Sequence, residues 1–193
     1  MDGTLNQTDN TIERHAPSAG AKAPDSAALS AMLEAREARW ARRLQLAEKA
    51  PSLISLTLCV PLPFRADPEA KSLLFRAAEK LREALRDEGF APQPAEISDG
   101  ADGAAVFLPC RGDAEAVKRF CVHFEEELPA GRLLDVDVMK QGGAAIGRAE
   151  LGLSPRRCFI CGRPAAECVA GVRHGPEEIA AFVREKLREE REE

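Results

Sequence analysis

The chain of 193 residues has no tyrosine, one tryptophan and three histidines, and only 5% of it is aromatic. Few stacking platforms, a net charge of −5 and interspersed acids and bases exclude a basic, aromatic-studded nucleic-acid surface. No apolar run approaches the roughly 18 residues of a membrane helix, so no span and no membrane partner is expected. Neither a Gly-rich P-loop nor a Gly-x-Gly-x-x-Gly turn occurs, which disfavours an ordinary ATPase or dinucleotide enzyme. Ser-His-Asp chemistry has no support either, since no nucleophile elbow is present. Residues 1–26 lack the basic and apolar regions of a signal peptide and read as a disordered tail. A cytoplasmic location follows, with the six cysteines reduced or metal-bound.

What is present suffices for a core, with 45% apolar residues. Ser26 reads as the cap of an amphipathic helix over 27–49, with Leu29, Met32, Leu33, Trp40 and Leu44 on its stripe. A buried strand spans 53–60, and Asp67-Pro68 opens a second helix carrying Leu73, Leu74, Ala77, Leu81 and Leu85 to a stop at Gly89. A weak strand over 93–98, a turn and a better strand over 104–108 precede a third helix, 114–127, capped by Asp113. Gly142-Gly143 predicts a tight turn into a last short strand, 144–149. The order implies an α+β fold with a single mixed or antiparallel sheet, helices on one side and a split β-α-β pattern. We expect a catalytic domain over 27–153, with a Cys/His knuckle and charged helix over 154–193 packed on it.

The segment Gly131-Arg132-Leu133-Leu134-Asp135-Val136-Asp137-Val138 places two acids at i and i+2 within an apolar, β-branched run. On a strand, Asp135 and Asp137 share one face while Leu134, Val136 and Val138 share the other. Their Cα atoms would lie roughly 6.6 Å apart, within reach of one hydrated Mg²⁺. Two adjacent carboxylates call for a cation or an arginine between them. The plainer alternative is a strand end with two solvated acids.

Cys158-x2-Cys161-x6-Cys168-x5-His174 supplies four soft or borderline ligands, the usual set for a closed, structural zinc. Reduced residues that never converge, or a thioredoxin-like redox pair, are the alternatives. Cys59, Cys110 and Cys121 lie in apolar stretches and read as buried, inert thiols. Arg132, Arg156-Arg157, and Arg36 with Arg39 on one face of the first helix, are candidates for phosphate, which suits the planar guanidinium fork. His123, beside Phe124 on the third helix, reads as a packed or surface residue.

Taken together these residues resemble the citrate lyase holo-acyl-carrier-protein synthases, also called apo-citrate lyase phosphoribosyl-dephospho-CoA transferases. The resemblance rests on 131–138, on Pro155-Arg156-Arg157-Cys158-Phe159-Ile160-Cys161, and on Cys168 and His174. Met32-Leu33 with Arg36-Glu37-Ala38-Arg39, and the strand-then-proline segment Leu53 to Arg65, extend it to about 32–174. It implies a nucleotidyltransferase-type fold. It also implies transfer of a prosthetic group from 2′-(5″-triphosphoribosyl)-3′-dephospho-CoA to a serine of the citrate lyase acyl carrier protein, with release of pyrophosphate. In that reading Asp135 and Asp137 hold Mg²⁺. Arg132, Arg156, Arg157, Arg36 and Arg65 grip phosphate. One of the two acids, or Glu125, orients or deprotonates the serine.

Three positions depart from the family pattern. Pro61-Leu62-Pro63 with Arg65 replaces a Pro-Gly-Pro turn and its basic residue, Leu128-Pro129-Ala130 replaces His-Pro-Leu, and Leu134 replaces an aromatic residue. A related carrier, such as that of malonate decarboxylase, is a variant of the same reading, favoured less by the arginine-cysteine segment. A zinc-stabilised adaptor without turnover is the rival from a different class.

Overall fold

The computed structural model of the chain describes residues 25–192. The expected tail lies outside them apart from Asp25 and Ser26. Helix α1 (Ser26–Ala47) starts one residue earlier than predicted, because the Asp25 carboxylate, not the Ser26 hydroxyl, accepts the Ala28 N–H at 2.7 Å. Strand β1 (Ser52–Leu58) follows, and the Pro61 segment forms one short helical turn, α2 (Leu62–Arg65). Asp67 caps α3 (Pro68–Asp87) through the Glu69 and Ala70 amides, as its Asp-Pro start predicted. A hairpin of β2 (Glu96–Gly100) and β3 (Gly103–Cys110), helix α4 (Ala114–Glu127) and strand β4 (Leu134–Lys140) complete the α+β unit.

The four strands run in the order β2-β3-β1-β4, every neighbouring pair antiparallel. Strands β3 and β4 are therefore parallel to each other, and with α4 they make a split β-α-β unit around β1. Alternation sorts the side chains of the central strands between two faces. Ile54, Leu56 and Leu58 of β1, Val106 and Leu108 of β3, and Leu134, Val136 and Val138 of β4 face one way. There they join Leu73, Leu74, Leu81 and Leu85 of α3 and Val117 and Cys121 of α4 in the main core. Val183 and Leu187 of the last helix, α6 (Pro176–Glu192), are buried in the same core. On the opposite face Leu53, Ala105, Phe107 and Met139 meet only Leu44, Leu46 and Ala47 at the end of α1. The rest of that face is left open, and α1 overhangs it.

The Gly142-Gly143 reversal forms as predicted, with φ of +85° and +91°, but no strand follows it. A single bridge joins Met139 to Ala145, with the Lys140 amide donating to the Ala144 carbonyl at 2.8 Å. The chain then leaves the sheet because the Gly147 N–H is captured by Glu150 at 2.6 Å, which draws it into a 3₁₀ turn at Ala149–Leu151. Strand β4 is thus an edge over its first half, where outward backbone groups are met by side chains, while Val138 and Lys140 are bonded by the backbone of Ile146 and Ala144. The Val136 N–H donates to Glu125 at 3.3 Å, the Val136 carbonyl accepts from buried Lys118 at 2.8 Å, and the Leu134 carbonyl accepts from Arg156. Gly131, in the 3₁₀ turn Gly131–Leu133 that leads into β4, is required by crowding. A Cβ there would fall 2.1 Å from the Glu125 carbonyl oxygen.

Past β4, a short helix α5 (Ala165–Ala170) carries Cys168, the last cysteine of the knuckle. Phe159 of the knuckle stacks on Phe182 of α6, with ring centroids 4.6 Å apart. Among the described residues no helix is long and apolar enough to cross a membrane.

Candidate active site

Asp135 and Asp137 project from the open face of β4, opposite Thr57 and Ser55 of β1, as the alternation predicted. They form part of the wall of a cavity of about 880 Å³ between this face and α1. From α1 come Arg36, Arg39, Trp40 and Arg43, from α2 Arg65, and from the β2–β3 turn Asp102. The positions 36, 39 and 43 follow the helical period, so one face of α1 presents three guanidinium groups to the sheet. Leu29, Met32, Leu33 and Leu62 add apolar lining.

The two acids already meet cations. The Arg43 guanidinium lies 3.3 Å from Asp137, and Arg156 lies 3.1 Å from Asp135. Burial, and then the neighbouring Asp137 charge, hold the Asp135 carboxyl above its ordinary range, against the pull of Arg156, Lys118 and Arg43. The Asp137 charge pressed against Asp135 is one that a divalent cation would relieve. The all-oxygen donor pair also suits a hard ion such as Mg²⁺. Across the cavity the cations are crowded in turn. Burial lowers the proton affinity of Arg39, Asp102 opposes it, and Arg65, Arg36 and Arg43 add to the lowering. Arg39 reaches Asp102 at 2.5 Å, and both side chains are largely buried. The contact is close in charge but off the hydrogen-bond direction, so Asp102 Oδ2 receives no aligned hydrogen bond. Such a cluster is a binding surface for a polyanion.

Glu125 lies on the other side of β4, in a smaller cavity of about 390 Å³ that also touches Asp135 and Asp137. It is buried, and desolvation raises its proton affinity while Arg156 and Arg148 oppose the rise. Both of its oxygens are engaged, one by the Val136 amide and the other by Arg148 at 3.1 Å. Arg156 links this cavity to the acids. Arg132 and Arg157, placed with it in the sequence reading, lie elsewhere: Arg132 donates to the Arg157 carbonyl at 3.0 Å and Arg157 to the Gly162 carbonyl at 3.1 Å. They brace the knuckle and line a groove beside it, and neither lines the large cavity. Arg36 and Arg65 do enter the large cavity. Asp102, Arg43, Lys118 and Arg148 were absent from the sequence reading. The helical period from Arg36 through Arg39 would have reached Arg43, but nothing local marks the other three.

The knuckle residues converge. One ligand atom from each of Cys158, Cys161, Cys168 and His174 lies within 4.8 Å of the others, a set able to hold a metal ion such as zinc. The Cys161 and Cys168 sulfurs are 3.4 Å apart, as are the Cys158 sulfur and His174 Nε2. His174 Nδ1 contacts Glu178 at 3.1 Å, which leaves Nε2 to the cluster in the manner of carboxylate-oriented metal histidines. Cys110 and Cys121 are buried as expected, and desolvation pushes both thiols up, Cys110 to about 12. Cys59 differs: β1 ends at Leu58 and the residue is exposed where the large cavity meets the knuckle groove, although desolvation raises its thiol too.

Comparison with known proteins agrees with this geometry. The family model for apo-citrate lyase phosphoribosyl-dephospho-CoA transferase matches residues 27–190. A "probable apo-citrate lyase phosphoribosyl-dephospho-CoA transferase" of Streptococcus pyogenes serotype M5 (strain Manfredo) is 32% identical over 168 residues, covering 84% of this chain and 86% of the relative. The apo-citrate lyase phosphoribosyl-dephospho-CoA transferase of Escherichia coli O1:K1 / APEC is 28% identical over 144 residues, 74% of this chain and 79% of its own length. Protein CitXG of Leuconostoc mesenteroides subsp. cremoris is 32% identical over 149 residues, 76% of this chain but 32% of that protein. The extent of these matches, over a sheet that sets paired acids against an arginine cluster, means that the chain belongs to the apo-citrate lyase phosphoribosyl-dephospho-CoA transferase family.

Proposed function

We propose that this chain transfers the 2′-(5″-phosphoribosyl)-3′-dephospho-CoA group from its triphosphate precursor to a serine of the citrate lyase acyl carrier protein. The observation that carries the reading is the acid pair on β4 facing the arginine cluster of α1 and α2 across one cavity. The family match supports it. The carrier serine oxygen bonds to the phosphorus next to the ribose, the bond from that phosphorus to the bridging oxygen breaks, and pyrophosphate departs with the electron pair. Arg36, Arg39, Arg43 and Arg65 hold the triphosphate and neutralise the charge that gathers on the leaving oxygens. Asp135 and Asp137 would hold Mg²⁺, which would supply charge neutralisation at the phosphate oxygens. One of these two acids takes the serine proton. Glu125 is a positioning residue, because its oxygens are committed to β4 and Arg148. Arg156 sets the orientation of Asp135.

The Cys₃His cluster holds structural zinc, with all four positions filled by protein. Free thiols among the described cysteines suit a reducing cytoplasm. A non-catalytic adaptor has no use for paired acids set against an arginine cluster.

The test incubates purified protein with apo-carrier, triphosphoribosyl-dephospho-CoA and Mg²⁺, and weighs the carrier intact. The expected result is a mass gain equal to the prosthetic group, reduced at least about a hundredfold in rate by Asp135→Asn or Asp137→Asn with melting unchanged. No gain with wild-type protein, or full rates in both variants, would overturn the assignment.

A further inference from the structure

We infer that the groove between the knuckle and the end of β1 is the docking surface for the carrier protein, which seats an apolar side chain there between carboxylates of its own. The inference rests on the transferase reading, since a protein acceptor has to hold its serine beside the acid pair while the nucleotide fills the arginine-lined cavity.

The groove, of about 420 Å³, has walls of Phe159, Ile160, Val169, Val172 and Ile179. It opens directly onto the chemistry: Cys59 lines both this groove and the large cavity, and Arg156, which pairs with Asp135, forms part of its wall. Val169 and Val172 stand 78% and 83% exposed at the rim. A pocket for a small molecule encloses its apolar walls, whereas apolar side chains standing proud beside a recess are anchors for a broad macromolecular face. Val172 is held outward at a φ of +44°, a conformation that β-branched residues rarely adopt. The turn that imposes it follows Cys168 and precedes His174, so the metal cluster fixes the display.

Charge points to the same occupant. The chain as a whole carries −5. The groove itself, however, is lined by Arg132, Arg156 and Arg157 and by no acid. An apolar recess with a cationic rim on an otherwise acidic protein selects an acidic partner face and steers its approach.

The experiment uses the full-length, metal-loaded protein, apo-carrier and triphosphoribosyl-dephospho-CoA, and compares wild type with Val169→Asp, Val172→Asp and Arg173→Glu. Aspartate tolerates the left-handed conformation better than valine, so Val172→Asp does not threaten the turn, and metal content checks that it stays loaded. The KM for carrier is expected to rise about tenfold or more in Val172→Asp, and less in Arg173→Glu, while kcat at saturating carrier and the KM for the nucleotide stay at wild-type values. An unchanged carrier KM in both valine variants overturns the inference. So does a rise confined to the nucleotide KM, which would make the groove a small-molecule pocket. A failure of the transferase reading shows itself differently, as a wild-type protein that never modifies the carrier, and it takes the inference with it.

Discussion

The two candidate centres of this protein are assembled in opposite ways. The knuckle draws its four ligands from within 158–174, a stretch that its own turns and one short helix fold into a cluster. The cavity on the open face of the sheet gathers Arg36 from α1, Arg65 from α2, Asp102 from a hairpin turn and Asp135 from β4. The first needs a metal and little else to be closed. The second exists only when four elements hold their places, so its chemistry depends on the whole fold.

The contrast is sharpest under metal removal. A chelator is expected to release hydrogen exchange across 158–174, because a metal held by the four ligands would tie together a segment that is mostly exposed. The amides of β1 and β3, laddered on both sides, should keep their protection. Equal loss in both regions would show that the knuckle is no local unit. A second break is aimed at the distributed centre. Arg39→Met leaves the Asp102 carboxylate buried without its counter-ion, an expected loss of about 3 kcal/mol in urea unfolding. Arg39→Met combined with Asp102→Leu should recover most of that loss, since the penalty belongs to the stranded charge. No recovery would place the defect in packing.

The smallest effect tests the support behind β4. Removing Arg148 takes away a cation that lowers the proton affinity of Glu125, so the folded-state value, already raised by burial, rises further. A raised carboxyl stabilises the fold below its ordinary range and loses that contribution as pH rises through the folded value. Arg148→Ala should therefore fall short of wild type by about 2 kcal/mol at neutral pH, and the gap should close in acid, where Glu125 is protonated in both. A gap independent of pH would assign the loss to Arg148 packing or to its pair with Glu126 instead.

The same local-versus-distributed split governs what could be read from the sequence. Cys158, Cys161, Cys168 and His174 were legible because their spacing is the geometry. The shared face of Asp135 and Asp137 was legible because a strand alternates, and α3 because its leucines keep the helical period. Asp102 was not: its role comes from a turn that happens to end under Arg39, a contact 63 positions apart in the chain. Arg132 and Arg157 turn toward the knuckle carbonyls, a direction that adjacency to a motif does not give, Arg132 because it sits in the 3₁₀ turn ahead of β4 and not on the strand. The missing strand after Gly142-Gly143 and the exposure of residue Cys59 both turn on where pairing stops. That is decided by a competing acceptor in one case and by the last ladder residue in the other.

The side chains that occupy the edge of β4 have a consequence for handling the protein. A strand with free N–H and C=O groups on one side invites other chains to pair with it. Here Lys118 and Glu125 block that invitation from α4, and Arg156 blocks it at Leu134 from the segment leading into the knuckle. The last of these guards is only as secure as the Cys/His cluster two residues away. Metal-depleted preparations should therefore be the ones that aggregate, through an apolar strand whose cover has come loose.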